Sequence, residues 1–362
     1  MKRCKKCITP DTVPNIKFDS NGICSLCSSY THIKEKGEEN LKEIILETKK
    51  LKNRNKIYDA VVPVSGGRDS TFVLYYSVKK LKLKVLAVSF DNDFVNEQAR
   101  KNIENSCRIL KTDFMVLKSR FKLPFFITKN LIKATSSTGP FGIINNMCSA
   151  CAFGQKAAVY KVASQKKIPL ILWGNSSNEA TVERLVDVSS YYRQQYKEFF
   201  KNPKNKFFNK NLIIANILFF LFKLEFYVPG NSLKSKIFKL KEKNIKEISF
   251  FDYVEWNREE IKNTIIAELG WQKDKSHIST WRNDCKIHPV MNWAFYKLYG
   301  CTKDAFGYCN MINDNQMDRR TALYQEEEMI KNIDEKTIDV MKNILGLDEK
   351  TIMTIKNNNK KI

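Results

Sequence analysis

The sequence has little histidine, no long apolar run and a deficit of acidic residues. His32, His277 and His288 are the only histidines among 362 residues, and a lone histidine is more often structural or solvated than catalytic. The most apolar stretch, Leu212–Phe222, is broken by Asn216. A bilayer span needs about 20 apolar residues, so this stretch predicts a buried or partner-facing helix, with membrane contact at most peripheral. No apolar leader core follows Met1-Lys2-Arg3-Cys4, so a cytoplasmic location is expected. No internal repeat is present beyond paired CxxC motifs.

Lys and Arg number 62 against 39 Asp and Glu, a formal net charge of +23. Such a surface suits an acidic partner: nucleic acid, an anionic sugar or nucleotide, or a membrane surface. Hydrophobic residues make up 43%, which excludes disorder as the overall state. The length predicts two or three domains. Ten cysteines in a chain without a leader point to thiol or metal chemistry rather than disulfides.

From Ile57 the pattern alternates. Strands are predicted at Ile57–Val64, Lys84–Phe90, Phe114–Leu117 and Ile168–Trp173. Helices are predicted at Thr71–Leu81, Glu97–Leu110, Phe125–Ala134 and Ala152–Gln165, with an amphipathic helix earlier at Glu38–Leu51. This is the signature of βαβ units, a doubly wound parallel sheet in an α/β fold. Such sheets bind ligands at the carboxyl ends of their strands. The loops after Val64, Phe90 and Trp173 therefore matter most. Five regions are expected: a cysteine ribbon at 1–35, an ATP-binding α/β domain at 36–180, an irregular insertion at 181–250, a C-terminal part of the catalytic domain at 251–330, and a charged helical tail at 331–362.

A buried strand, Ala60–Val64, runs directly into Ser65-Gly66-Gly67-Arg68-Asp69-Ser70, and a helix follows. Paired glycines let the backbone approach an anion closely. The loop N–H groups and the helix N-terminus aim positive partial charge at it. Ser65 and Ser70 add hydroxyls, while Asp69 is expected to hold Mg²⁺ or to orient the loop. The GK[ST] ending of a Walker loop is missing, and no dinucleotide fingerprint is present.

SGGRDS in this setting resembles the PP-loop ATP pyrophosphatase superfamily, which cleaves ATP between its α- and β-phosphates. The resemblance implies that Ser65, Gly66, Gly67, Arg68, Asp69 and Ser70 bind pyrophosphate. It also implies that Phe90, Asp91 and Asn92 lie near the adenosine. Trp173-Gly174-Asn175-Ser176-Ser177-Asn178-Glu179 stands where relatives carry a GHNxxD-like element; here Asn-Ser replaces His-Asn, with Gly174 and Asn175 as candidate nucleotide contacts.

Cys4-x-x-Cys7 and Cys24-x-x-Cys27 are separated by 16 residues. Two such knuckles suit one tetrahedral Zn²⁺, with iron in a rubredoxin-like site as the alternative. A segment this short cannot bury a core of its own, so the metal would hold it together. The residues between the knuckles, with the SGGRDS loop and Thr280-Trp281-Arg282-Asn283-Asp284-Cys285, resemble the N-acetyl sugar amidotransferases of bacterial surface-polysaccharide and nonulosonic-acid synthesis. That resemblance covers roughly residues 1–330. It implies ATP and Mg²⁺, adenylation of an acetamido oxygen, and an acetamidino sugar product. It also implies a separate glutaminase subunit and a cyclase-like subunit supplying ammonia, since no Cys–His glutaminase signature is visible. Nucleic acid is not an expected partner on this reading.

Cys148-Ser149-Ala150-Cys151 forms a third CxxC, and Cys285 stands far downstream. The order is similar to that of PP-loop tRNA thiolases, whose CxxC and one distant cysteine hold a 4Fe–4S cluster with one iron open. The resemblance implies a three-cysteine metal site at Cys148, Cys151 and Cys285, holding a 4Fe–4S cluster or zinc. A buried CxxC or a redox dithiol would use the same residues. Arg282 and Asp284 flank Cys285 and are candidate catalytic groups beside Asp69; a solvated Arg and a capping Asp are equally consistent. Cys107 is expected in the core, and Cys301 and Cys309 have no telling spacing. A tRNA-modifying sulfur transferase is the alternative function.

Overall fold

A computed structural model describes residues 1–358 except 33, 52–54, 56, 176–193, 195–196 and 227–244. Its five strands are β1 (Ala60–Pro63), β2 (Val85–Asp91), β3 (Asp113–Lys118), β4 (Leu170–Trp173) and β5 (Lys246–Ser249). They form one sheet in the order β3-β2-β1-β4-β5. Every pairing is parallel, with Ala60 opposite Val85, Leu86 opposite Asp113, Val61 opposite Ile171 and Leu170 opposite Lys246.

The strand period assigns the two faces. Ala60, Val62, Val85 and Ala87 pack on one side with Phe72, Ile103, Ile261 and Trp271. Val61, Leu86, Val88 and Ile171 pack on the other with Val159, Val162 and Ala163 of the helix Ser149–Gln165. Both faces are covered, as a parallel sheet requires. The chain winds outward from β1 to β3 and then returns to the far side of β1 with β4. The crevice at the carboxyl ends of β1 and β4 is therefore the topological switch point where such sheets take ligands.

The α/β expectation holds, with shifted ends and one addition. The first loop-borne helix begins at Arg68 rather than Thr71, because Thr71 N–H and Oγ1 both donate to Gly67 O. The edge strand β5 has no strand-like sequence pattern, since Ile248 is its one buried residue. Leu212–Phe222 lies in the helix Lys210–Glu225, with Leu212, Ala215 and Phe222 buried against the helix Leu123–Ala134. No helix among the described residues is long and apolar enough to cross a membrane. Ser176–Glu179 and most of the irregular segment after them, Tyr191 and Tyr192 included, lie outside the described residues.

The ribbon is not a free-standing unit. Ile8, Val13 and Leu26 share one core with Val290, Trp293, Phe306 and Tyr308 of the helices His288–Tyr299 and Asp304–Asn313. Arg319 Nε donates to the carbonyls of Cys4 at 3.2 Å and Cys7 at 2.9 Å. The segment after residue 330 joins the same core through Ile333, Met341, Leu345 and Ile355.

Candidate nucleotide cleft and two cysteine centres

At the switch point lies a cleft of about 480 Å³. Ser65, Gly67 and Ser70 form one wall, Gly174 and Asn175 after β4 a second, and residues 280–284 a third. The loop is shaped by its own bonds. Ser65 N–H donates to Ser70 Oγ at 3.2 Å, and Gly67 N–H donates to Ser65 Oγ at 3.3 Å. Gly66 has φ +79°, and a Cβ there would sit 2.2 Å from Ala99 O. Its carbonyl accepts from Trp271 Nε1 at 3.0 Å and Asn102 Nδ2 at 3.2 Å. The loop is thus clamped from behind, with its open side toward the cleft. Gly174 closes on it so tightly that a Cβ would lie 3.1 Å from Ser70 Cα.

Arg68 and Asp69 pair with each other as well as lining the cleft. The buried Arg68 guanidinium donates to Asp69 Oδ1 at 2.7 Å and Oδ2 at 3.0 Å, and to Thr280 Oγ1 at 2.9 Å. It lies 5.0 Å from the Trp256 ring and 5.8 Å from that of Trp281, within cation–π reach. Trp256 Nε1 also donates to Asp69 Oδ1. Asp284 is the second carboxylate at the loop: a Cβ on Gly67 would lie 3.6 Å from its Cγ. Two carboxylates beside an anion-binding loop suit a divalent cation between protein and phosphate.

Residues 279–286 form a strap across the cleft. Asn96 N–H donates to Asp284 O at 3.1 Å, Lys286 N–H to Phe94 O at 2.8 Å, and Cys285 pairs with Val95 in an antiparallel bridge. Ser279 Oγ donates to Asp304 Oδ2, whose Oδ1 takes His288 Nε2 at 2.7 Å. Burial opposes the Asp304 charge, but His288 beside it and its hydrogen bonds hold the carboxyl below the usual range. Arg282 sits on the strap with φ +46°, an unusual conformation for a residue with a Cβ. His277 Nε2 donates to Cys285 O on the strap at 3.3 Å. His277 and His288 thus act as structural groups.

The adenosine contacts expected after β2 divide. Phe90 contributes no side chain to the cleft: its ring packs on Phe222 and Phe226 in the core. Asp91 pairs with Arg100 at 3.2 Å. Asn92 Oδ1 accepts from Phe94 N–H at 3.0 Å, shaping the turn after β2.

The three distant cysteines converge. Burial pushes the Cys151 thiol up, and Cys285 and Cys148 push it further. Burial raises Cys285 to about 12, with Asp284 and Cys148 adding to it. Cys148 caps the helix Ser149–Gln165 and is exposed. Ala152 and Asp284, each next to one of these cysteines, line the nucleotide cleft. Their sulfurs do not all lie within 4.8 Å of one another as the ribbon sulfurs do, so no single zinc ion is framed here. Three soft donors around a wider gap suit the larger core of a 4Fe–4S cluster, whose positive irons would offset the thiolate charges. Cys107 is core, as expected, its thiol raised to about 12 by burial alone.

In the ribbon, the sulfurs of Cys4, Cys7, Cys24 and Cys27 all lie within 4.8 Å of one another, fully enclosed. Cys7 and Cys24 are 3.7 Å apart, and Cys4 and Cys27 are 4.0 Å apart. A tetrahedron with metal–sulfur bonds of 2.3 Å has edges of about 3.8 Å, so the four thiols are spaced for one ion. Sequence reasoning missed a fifth thiol here. Cys309 Sγ lies 4.0 Å from Cys27 Sγ, across 282 residues of chain. No local spacing signals it.

No protein-family model matches the chain. An uncharacterised protein of Methanocaldococcus jannaschii is 28% identical over 116 residues, which are 32% of this chain and 42% of that relative's length. The match thus spans less than half of the relative. Among solved structures, the chain is similar to the U34-tRNA thiolase NcsA from Methanococcus maripaludis with its 4Fe–4S cluster. The identity is 14% and the TM-score 0.37, over 96% of this chain and 90% of the other. That likeness is too loose to assign residue roles. The sugar-amidotransferase expectation is corrected: a solved structure aligned over 96% of this chain is a tRNA thiolase, and no comparison bears the expectation out.

Proposed function

We propose that this chain is an ATP-dependent sulfur transferase of the PP-loop type, acting on a tRNA base. The observation that supports the reading is that Cys151 and Cys285, on the helix Ser149–Gln165 and on the strap, each adjoin a residue lining the cleft of the SGGRDS loop, Ala152 and Asp284. In this reaction a carbonyl oxygen of the base attacks the α-phosphorus of ATP, and pyrophosphate leaves. A sulfur nucleophile then adds to the activated carbon, and AMP departs with the original oxygen. The loop N–H groups with Ser65 and Ser70 hold the departing pyrophosphate. Asp284, with Asp69, would hold Mg²⁺ at the loop, and Arg68 with its two indoles fixes where Asp69 points. Cys148, Cys151 and Cys285 would hold a metal centre, which when bound supplies a position for presenting sulfide. The formal charge of +23 supports a polyanionic acceptor.

The test uses protein purified without oxygen, supplied with ATP, Mg²⁺, sulfide and bulk tRNA. Nucleosides are then digested and analysed by mass spectrometry. An oxygen-to-sulfur exchange in one nucleoside, absent with Cys285→Ser and Asp69→Asn, is the expected result. ATP cleavage to AMP without any thionucleoside, driven instead by a small acceptor, sinks the proposal.

A further inference from the structure

We propose that the exposed face of the helix Lys210–Glu225 is a docking surface for an anionic lipid bilayer, with the helix lying flat in the headgroup layer. This goes beyond sulfur transfer and does not depend on it. The helix is apolar on both sides, a composition that in a globular protein means burial on both. Only one side is buried: Leu212, Ala215 and Phe222 pack in the core. Ile213, Ile217, Phe220, Leu221 and Leu224 line up on another face, at spacings of three and four residues, and all are exposed. Phe220 is 59% exposed, Ile217 56% and Leu224 52%. The patch runs on into a groove of about 750 Å³, lined by Leu221 and Leu224 from the helix, Val116 from β3 and Phe121 from the turn after it. Phe121 and Lys122 hold φ of +55° and +51°, a conformation that costs backbone energy. That turn leaves the Phe121 ring in water, 84% exposed. A contiguous apolar surface of this kind marks an interaction site.

The charge around the patch says what covers it. From Lys197 to Glu225 there are six lysines and two glutamates, with no Asp or Arg. Glu198 is held by Lys201 at 2.6 Å. Glu225 is turned inward, accepting from Ser119 Oγ at 2.7 Å and Arg120 N–H at 2.8 Å. Lys204, Lys206 and Lys210 are exposed at the head of the helix, beside Phe207 and Phe208, themselves exposed. Phe and Leu on one face with lysines flanking them is the pattern of a helix lying in the plane of an anionic bilayer. Its apolar side chains reach about 5 to 10 Å into the boundary, and its lysines meet the phosphates. A second copy of this chain would set one lysine rim against another, which repels.

The test is co-sedimentation of the full-length protein with vesicles of phosphatidylcholine alone and of phosphatidylcholine mixed with phosphatidylglycerol. Wild type, F220S/L224S and K206Q/K210Q are compared, with the oligomeric state of each measured by light scattering. Wild type should bind the mixed vesicles and leave the neutral ones largely free. F220S/L224S should bind about tenfold more weakly or worse, because two buried apolar side chains are lost. K206Q/K210Q should also lose about tenfold, because each lysine near an anionic surface contributes attraction. Both variants change exposed positions, so their urea midpoints should match the wild type. No binding to either vesicle overturns the proposal. So does equal binding to both, or binding that F220S/L224S leaves unchanged, which is charge alone. A wild-type dimer that F220S/L224S converts to monomer assigns the face to a second copy and overturns it as well.

Discussion

Gly66 is where the phosphate loop is least tolerant. Its φ of +79° and the 2.2 Å approach to Ala99 O leave no room for a Cβ against backbone. Gly66→Ala should therefore cost about 3 kcal/mol and abolish ATP binding; unchanged urea midpoints and calorimetric affinity would contradict this. His288 is the partner of the buried Asp304 under the strap. His288→Ala leaves a buried carboxylate unpaired, at about 3 kcal/mol. It should also lower metal retention at Cys148, Cys151 and Cys285, read as bound metal per chain. Cys107 gives a pH dependence with a definite sign. Its thiol is raised to about 12 by burial, against about 8.5 when exposed. Its contribution to stability is complete below pH 8.5 and is lost progressively as pH rises toward 12, because the unfolded chain ionises first. The stability difference between wild type and Cys107→Ala should be flat below pH 8.5 and shift against wild type above it. Denaturant unfolding at a series of pH values checks both the sign and the onset. At this scale the phosphate loop was legible, because SGGRDS acts through backbone geometry that a short motif encodes. The Phe90 ring was not, because its direction is decided by Phe222 and Phe226, far along the chain.

Among the elements, strands buried on both faces were read correctly because Ala60–Val64 and Val85–Phe90 are nearly continuous apolar runs. β5 escaped because Lys246, Glu247 and Ser249 surround a single buried Ile248. Its identity as a strand comes from pairing with β4, which no local pattern reports. The helix Lys210–Glu225 was legible as apolar, but not its partner. Phe222 packs on Phe90, Phe153 and Phe226 and is fully buried. Phe222→Ala should cost about 3 to 5 kcal/mol and loosen the end of β2 beside the cleft. Unfolding free energy and the KM for ATP are the two readouts. A loss below about 1 kcal/mol would mean that this helix is not part of the core.

The whole molecule brings together cysteines that the chain keeps far apart. Cys285 comes near Cys148 and Cys151 because the strap bridges to Val95 in the loop after β2. A shared site for them is an expectation from likeness to thiolases, which local spacing alone does not encode. The Cys27–Cys309 approach was invisible, since sequence spacing encodes knuckles a few residues wide. The surplus of basic residues makes a prediction at this scale. If tRNA is the acceptor, its affinity should fall steeply and linearly with salt on logarithmic axes. A flat salt dependence would remove the polyanion from the proposal.

The shared core of the ribbon and the helices beyond residue 288 also orders events during synthesis. Translation proceeds at about 5 to 20 residues per second, so Cys4 to Cys27 leave the ribosome well before Cys309 and Arg319 exist. During that interval the four ribbon thiols have neither their packing partners nor the fifth sulfur beside them. An ion captured early would act as a placeholder for a core made last. A nascent chain deprived of that ion would leave four reactive thiols exposed until its final third is made.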